Sequence, residues 1–215
     1  MVNDIQSLRK KLSDMSKESS NIGVELNTSC PNIEGAPPIA YNPELLKPFL
    51  HVVNTVCASD PSLTFGLKLP PYVHAQQFVD VLRVISEETL EDSHGVRTGC
   101  VSFLTCTNTL GTSLLFEEQT SSVNPNIQNS FALPTPLGGL AGEALHALSL
   151  GNVYSFSRLI TASKDPLIKR ISIIGVGGVT CSDAVKRMHA AGAIAVGCAT
   201  LLGKHGIRAF EALTI

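Results

Sequence analysis

The chain has 215 residues, of which 44% are hydrophobic and 16% are charged, and its formal net charge is −2. This length gives one domain with a sizeable core, and the composition excludes a disordered or fibrous chain. The basic run Arg9-Lys10-Lys11 is too short to make a cationic surface for nucleic acid or an anionic membrane. No apolar stretch approaches the ~20 residues that span a bilayer, and the N-terminus is too polar for a signal peptide. We therefore expect a cytoplasmic protein with no nucleic-acid or membrane partner.

Helices and strands alternate along the chain. The first helix is predicted over 4–18, because Ile5, Leu8, Leu12 and Met15 fall on one helical face. Later helices are predicted over 43–58, 74–90, 152–163 and 181–191. Strands are predicted just before the polar run at Asn27 and over 63–69, 99–106, 170–175 and 193–197. This alternation predicts five parallel βα units joined by right-handed crossovers, within a single domain covering residues 1–215.

A polar stretch over 116–136, rich in Ser, Asn and Pro, interrupts this pattern. It is too long to be an idle connection between two elements. The sequence leaves open whether it forms a functional loop or a hairpin excursion.

The unusual residues of the strands favour a barrel over an open doubly wound sheet. Polar or glycine residues stand at the carboxyl end of each strand, as at Asn27, Lys68, Asn108, Gly177 and Gly197. In a (β/α)₈ barrel this rim carries the catalytic groups, and the loops after the last two strands bind phosphate. We expect an α/β fold of the TIM-barrel family, here an incomplete barrel with about five βα units.

Glycines close the last two predicted strands, in Gly175-Val-Gly-Gly178 and in Gly197-Cys198. Glycine lets the backbone approach an anion closely, and free N–H groups at a following helix can bind it. The alternative is a tight strand-to-helix turn without a ligand. Two such loops in consecutive units favour phosphate binding.

The cysteines give no metal site, because none of the six forms a C-x-x-C pair and no His-x-x-x-His spacing occurs. We expect reduced thiols, as in other cytosolic chains. Cys30 differs from the rest, because it lies in Asn27-Thr-Ser-Cys-Pro-Asn32, a polar strand end that is poor core material. Inert packing remains one interpretation of this thiol, and a base that takes a proton from carbon is the other.

The segment from Glu25 to Tyr41 resembles the active-site loop of class 1A dihydroorotate dehydrogenases, whose pattern is N-x-S-C-P-N followed by a Gly/Pro-rich loop and A-Y. Membrane-bound class 2 enzymes carry serine at the position of Cys30. Three further stretches are similar to family patterns and follow in the same order: Gly66-Leu-Lys-Leu-Pro-Pro-Tyr72, Thr107-Asn-Thr-Leu-Gly111 and Gly138-Gly-Leu-Ala-Gly142.

The resemblance implies oxidation of dihydroorotate to orotate in pyrimidine synthesis, with bound flavin mononucleotide (FMN) reoxidised by fumarate. It makes Cys30 the base, and it makes Lys68 a cation beside the flavin ring, where a lysine that merely extends its ammonium to water is the alternative. The residues implied to bind substrate are Asn27, Asn32, Asn108 and Thr109. Those implied to bind FMN with Lys68 are Thr107, Gly142, Gly177, Gly178, Gly197 and Cys198.

The chain also departs from the family pattern. Thr109, Cys198 and Ala141 replace Ser, Thr and Gly, and the 116–136 segment lacks a Lys-Pro-Lys motif. The five predicted strands correspond to the family's fourth to eighth, so counterparts of its first three strands and final helix are missing. We expect the isolated chain to bind FMN weakly or not at all, and full-length relatives to be homodimers. Two rival interpretations stay open: another FMN barrel that acts on dihydropyrimidines, and a non-catalytic remnant.

Overall fold

The computed structural model describes residues 23–30, 37–119 and 131–214, together with positions 4, 7, 10 and 11. Most of the predicted N-terminal helix therefore lies outside the described residues. Nine strands are described: β1 Gly23–Asn27, β2 Thr64–Leu69, β3 Leu90–Glu91, β4 Arg97–Thr98, β5 Val101–Cys106, β6 Leu110–Leu114, β7 Leu137–Leu140, β8 Ser172–Val176 and β9 Ala195–Gly197.

Seven α-helices lie in the same ranges: α1 Lys47–Ser59, α2 Ala75–Glu87, α3 His146–Ala162, α4 Pro166–Lys169, α5 Ser182–Ala191, α6 Thr200–His205 and α7 Ala209–Leu213. A 3₁₀ turn over Pro43–Leu46 precedes α1, so the helix predicted from residue 43 begins in the tighter form. Within the described part of the chain, no helix is both long enough and apolar enough to cross a membrane.

The central sheet has five parallel strands in the order β1-β2-β5-β8-β9. The spatial order follows the chain order without a reversal, whereas a doubly wound sheet reverses its strand order at a switch point. The predicted incomplete barrel is thus confirmed. Because the strands are parallel, all five carboxyl ends lie along one rim.

The strand predictions are close, but the prediction for α3 is wrong at its start. The helix begins at His146 and not at residue 152. Ser149 and Asn152 are almost fully buried on its inner face, where sequence analysis expects apolar residues. Asn152 hydrogen-bonds the backbone N–H and C=O of Tyr72, at 2.8 and 3.0 Å. Because these inward-facing positions are polar, the first two turns lack the apolar residues at helical spacing from which a helix is predicted.

The polar stretch over 116–136 belongs to a hairpin excursion, so this alternative is the correct one. Strands β6 and β7 pair antiparallel, and Phe116 bridges to Phe131 beyond them. The two phenylalanine rings lie 5.7 Å apart between centroids. Residues 120–130 lie outside the described residues.

Aromatic rings fill the core between the sheet and its helices. Tyr72, Phe78 and Phe156 form a cluster with centroid separations of 5.0–6.0 Å and edge-to-face geometry. The Tyr72 hydroxyl donates to the Ala40 carbonyl at 2.7 Å, and burial raises the pKa of this phenol well above its usual value. The loop after β2 is therefore fixed to the loop after β1, next to the carboxyl rim.

The expectation that all thiols are reduced is wrong for one pair. Cys57, near the end of α1, and Cys100, just before β5, form a disulfide. Their Cα atoms are 5.8 Å apart, which is a usual separation for such a bond. Sequence spacing gave no sign of this pairing, because the two residues meet only when α1 packs beside β5.

Asn54 connects the same elements from within the core, and we predict a large effect of removing it. Its Nδ2 donates to the Glu88 carbonyl and its Oδ1 accepts from the Cys100 N–H, both at 2.7 Å. Asn54→Ala leaves the buried Cys100 N–H and the half-buried Glu88 carbonyl without their partner, so unfolding free energy should fall by about 1–3 kcal/mol in urea denaturation. Thr55→Ala, at the next and exposed position, should change it by less than about 0.5 kcal/mol. Equal values for the two variants would contradict this role.

Candidate functional site

The carboxyl ends of β1, β2 and β5 place three predicted site segments side by side. In the sheet register Asn27 lies beside Lys68, and Lys68 lies beside Thr105. Beyond the strands, the Asn108 side chain donates from Nδ2 to the carbonyl of Ser29, and the Asn108 N–H donates to Leu69 at 2.8 Å. The residues next to Cys30, Lys68 and Thr109 are thus joined to one another by hydrogen bonds.

Lys68 is held by its backbone and leaves its side chain free for the rim. Its carbonyl accepts from the Thr28 hydroxyl at 2.7 Å and from the Ser29 hydroxyl at 3.0 Å. Among the described residues, no carboxylate forms an ion pair with its ammonium. A half-buried lysine whose backbone is fixed in this way can supply a positive charge to a ligand at this rim.

Two thiols lie at strand ends and differ in environment. Cys106, the last residue of β5, is fully buried, and burial together with the nearby Glu25 carboxylate raises the pKa of its thiol far above the ordinary value. Cys30 is a half-buried free thiol in the polar segment after β1. The Cys106 thiol therefore stays protonated and inert, while Cys30 has access to solvent and to a ligand.

A small pocket of about 80 Å³ lies at the rim between β2, β5 and β8. Ligand sites that enclose drug-sized molecules measure roughly 300–1,000 Å³, so this pocket has the size of a phosphate group and not of a whole nucleotide. Eight predicted site residues line it: Lys68, Thr107, Asn108, Thr109, Gly142, Gly177, Gly178 and Cys198.

The glycine turn after β8 needs its glycines. Gly177 and Gly178 have φ angles of +135° and +63°. A Cβ on Gly177 would overlap the Ser149 hydroxyl, and one on Gly178 would lie 2.7 Å from the Gly142 carbonyl oxygen. The backbone of this turn therefore packs closely on the start of α3, and its other side faces the pocket.

Four predicted site residues stand outside the pocket lining. Gly197 precedes Cys198 in the chain, and Cys30 follows Ser29 at the neighbouring strand end. Asn27 is engaged locally, because its Oδ1 accepts from the N–H and hydroxyl of Ser29 at 3.2 and 3.1 Å. Asn32 lies outside the described residues.

The fold brings to the site several polar residues that the sequence did not predict. Thr180 and Thr200 line the pocket, and the Ser149 hydroxyl lies 3.0 Å from that of Thr107. The imidazole Nδ1 of His146 lies 2.9 Å from the Gly177 carbonyl oxygen. Thr200 could have been identified from its place three residues after Gly197. Ser149 and His146 lie on the part of α3 that the sequence did not predict.

Comparisons with known proteins identify the family of this chain. The family model for dihydroorotate dehydrogenase matches residues 2–214. A Trypanosoma cruzi protein named dihydroorotate dehydrogenase (fumarate) is 30% identical over 204 residues, which is 95% of this chain and 56% of the relative. A Streptococcus pyogenes protein provisionally named dihydroorotate dehydrogenase A (fumarate) is 32% identical over 192 residues, 89% of this chain and 52% of the relative.

A solved structure shows the same fold at lower identity. The Eimeria tenella dihydroorotate dehydrogenase, crystallised in complex with ferulenol, superposes with a TM-score of 0.62 at 16% identity over 96% of this chain and 51% of that one. The chain thus spans about half the length of the curated relatives it matches. Because the family model matches this chain over nearly the chain's full length, the chain belongs to the dihydroorotate dehydrogenase family.

Proposed function

We propose that this chain carries the phosphate side and the base of a site that oxidises dihydroorotate to orotate with FMN, as a step of de novo pyrimidine synthesis. The observation that carries the proposal is the meeting of three groups at one rim. These are the half-buried thiol of Cys30, the side chain of Lys68 and the glycine turn Gly177–Gly178. A base, a cation and a place for the phosphate are what a flavin-dependent dehydrogenation of this kind requires of its protein.

The residues present fit the phosphate end of FMN. A pocket of about 80 Å³ with two glycines in positive-φ conformations leaves room for an anion close to the backbone. Lys68 lies at the end of β2, two strands away from the glycine turn after β8. With the phosphate at that turn, its ammonium could face the ring edge on which charge accumulates when flavin is reduced. Gly142 and Cys198 complete the wall on the side of α3 and α6.

The substrate would lie over the ends of β1 and β5. Asn108 and Thr109 offer amide and hydroxyl groups there, and Asn27 and Asn32 are further proposed substrate ligands. Cys30 would act as the base that takes the proton from C5 of dihydroorotate. FMN, when bound, would supply the acceptor for the hydride from C6. Orotate then carries the new C5–C6 double bond, so protons and electrons balance.

Fumarate is the proposed oxidant, because the similar Trypanosoma cruzi protein bears it in its name. It is a dicarboxylate, and the same amide and hydroxyl donors that would bind the orotate carboxylate can bind it. Fumarate and orotate should therefore compete for one pocket. Homodimerisation is proposed for the full-length family arrangement only.

The open sheet favours a second candidate, a flavin-binding remnant without turnover. In the described residues β1 and β9 have no outer neighbour, and the sheet does not close. Expressing residues 1–215, measuring flavin absorbance after gel filtration and assaying orotate formation with fumarate separates the two. Weak FMN binding with slow flavin reduction by dihydroorotate supports the dehydrogenase. FMN binding without any reduction supports the remnant, and a chain that binds neither FMN nor inorganic phosphate contradicts both.

Lys68→Ala should lower the reduction potential of bound FMN. Only reduced flavin places a negative charge beside the ammonium, so the variant loses more affinity for reduced than for oxidised flavin. A tenfold difference corresponds to about 30 mV for a two-electron couple. The measurement is an anaerobic redox titration against a dye of known potential. Lys164→Ala, an exposed lysine before α4, should leave the potential unchanged. A potential equal to that of the parent for both variants would reduce Lys68 to a solvent-facing lysine.

A further inference from the structure

His146 stands at the start of α3, beside the glycine turn, and two of its atoms have defined partners. Its Nδ1 lies 2.9 Å from the Gly177 carbonyl oxygen, and its Nε2 accepts from Nε of Arg187 at 3.1 Å. Arg187 comes from α5, the helix that follows the turn. The imidazole therefore bridges the turn and the two helices on either side of it.

These partners select one tautomer of the ring. A guanidinium has only donors, so Nε2 must carry a lone pair toward Arg187. A backbone carbonyl only accepts, so Nδ1 must carry the hydrogen toward Gly177. The neutral ring with hydrogen on Nδ1 satisfies both contacts, and the other tautomer satisfies neither.

The Gly177 carbonyl sets the orientation of the next amide. The peptide unit is planar and trans, so the Gly178 N–H points opposite to the Gly177 C=O. Since that carbonyl is directed to His146, the Gly178 N–H is directed away from α3. Within the described residues this N–H has no hydrogen-bond partner, and both glycines line the rim pocket.

We propose that His146, with its tautomer fixed by Arg187, is a positioning residue that orients the Gly177–Gly178 peptide toward the phosphate of the ligand. The proposal rests on the proposed function, because FMN supplies that phosphate. His146 touches neither ligand nor reacting atoms in this scheme. His146 affects the ligand through the Gly177–Gly178 peptide, and Arg187 does so by fixing the tautomer of the His146 ring.

The ring nitrogens test the tautomer without any ligand. Long-range ¹H–¹⁵N spectra of the full chain should show hydrogen on Nδ1 of His146. In Arg187→Met the guanidinium is lost, so the spectra should show a mixture of the two tautomers. Hydrogen on Nε2 in the parent chain would overturn the proposal.

Ligand titrations test the consequence. We expect His146→Phe, which keeps a ring and removes the donor, to weaken FMN binding about 3- to 10-fold, measured from amide shifts of Gly177 and Gly178. Binding of inorganic phosphate should weaken by the same factor. Riboflavin, which lacks phosphate, should bind the variant as it binds the parent. A loss of riboflavin binding of equal size would show general damage and overturn a positioning role.

A conservative variant and a double variant complete the design. His146→Asn places an amide N–H near the position of Nδ1 and should restore FMN affinity to within about twofold of the parent. Arg187→Met should weaken FMN binding in the parent and have no effect in the His146→Asn chain, because an amide needs no tautomer selection. Equal losses in His146→Asn and His146→Phe would overturn the proposal. A parent chain that binds neither FMN nor phosphate would overturn the proposed function, while the ring spectra still decide the geometry.

Discussion

Replacing Cys30 with serine should slow the reduction of FMN by dihydroorotate by about 10²- to 10⁴-fold at neutral pH, the usual contribution of a general base. A hydroxyl is a far weaker acid than a thiol, so serine supplies almost no anionic base at this pH. The measurement is anaerobic bleaching of flavin absorbance after mixing the chain, excess FMN and dihydroorotate. The rate in the variant should recover partly as pH is raised.

Cys181 provides the matched control for this variant. It is an exposed free thiol just before α5, and it does not line the pocket, although its neighbour Thr180 does. Cys181→Ser should leave the bleaching rate unchanged, and orotate affinity should stay the same in both variants, because Cys30 is assigned to proton transfer and not to binding. Equal bleaching rates for the parent and Cys30→Ser at every pH would remove Cys30 from the mechanism.

The strands and their carboxyl ends could be predicted because their signal is local. An apolar run that stops at proline or glycine marks a strand end, as after Leu69 and Val176, and parallel strands bring all such ends to one rim. Lys68 and the Gly177–Gly178 turn were found in this way. The pattern predicts where such a residue lies, but the role of Lys68 was predicted only from the family resemblance.

The first turns of α3 could not be predicted, because their inner face is polar. His146 hydrogen-bonds the Gly177 carbonyl, Ser149 the Thr107 hydroxyl and Asn152 the backbone of Tyr72. Such a face has no apolar residues at helical spacing, so it does not predict a helix. Buried polar side chains with hydrogen-bond partners are nevertheless compatible with one. The residues that support the site are therefore the ones that hide the helix from sequence analysis.

Contacts between distant segments were also beyond the sequence. Cys57 and Cys100 are separated by 43 positions, and nothing in their spacing predicts that α1 brings them together. The local turn after β1, in which Asn27 Oδ1 accepts from the Ser29 N–H, was not predicted either. Such a turn depends on the path of the backbone after β1, and the known preference of asparagine for turns does not by itself predict that path.

Gly178→Ala should abolish the preference of the chain for FMN over riboflavin. Residue 178 has φ +63°, a conformation that costs an L-residue roughly 1–2 kcal/mol, and the new Cβ would lie 2.7 Å from the Gly142 carbonyl oxygen and from Cβ of His146. The turn must move to relieve these contacts, and its N–H groups then lose their direction toward the pocket. The two affinities are compared by amide-shift titration, and stability by urea denaturation.

Gly206→Ala separates backbone strain from close packing. Gly206 has φ +56°, but a Cβ there would meet no atom within 4 Å, so this variant bears the conformational cost alone. Both variants should lose about 1–2 kcal/mol of unfolding free energy, with a further loss in Gly178→Ala from the displaced contacts. Only Gly178→Ala should lose discrimination between FMN and riboflavin. If Gly206→Ala loses it as well, the effect reports weakened folding, and the glycine turn after β8 is not the phosphate-binding element.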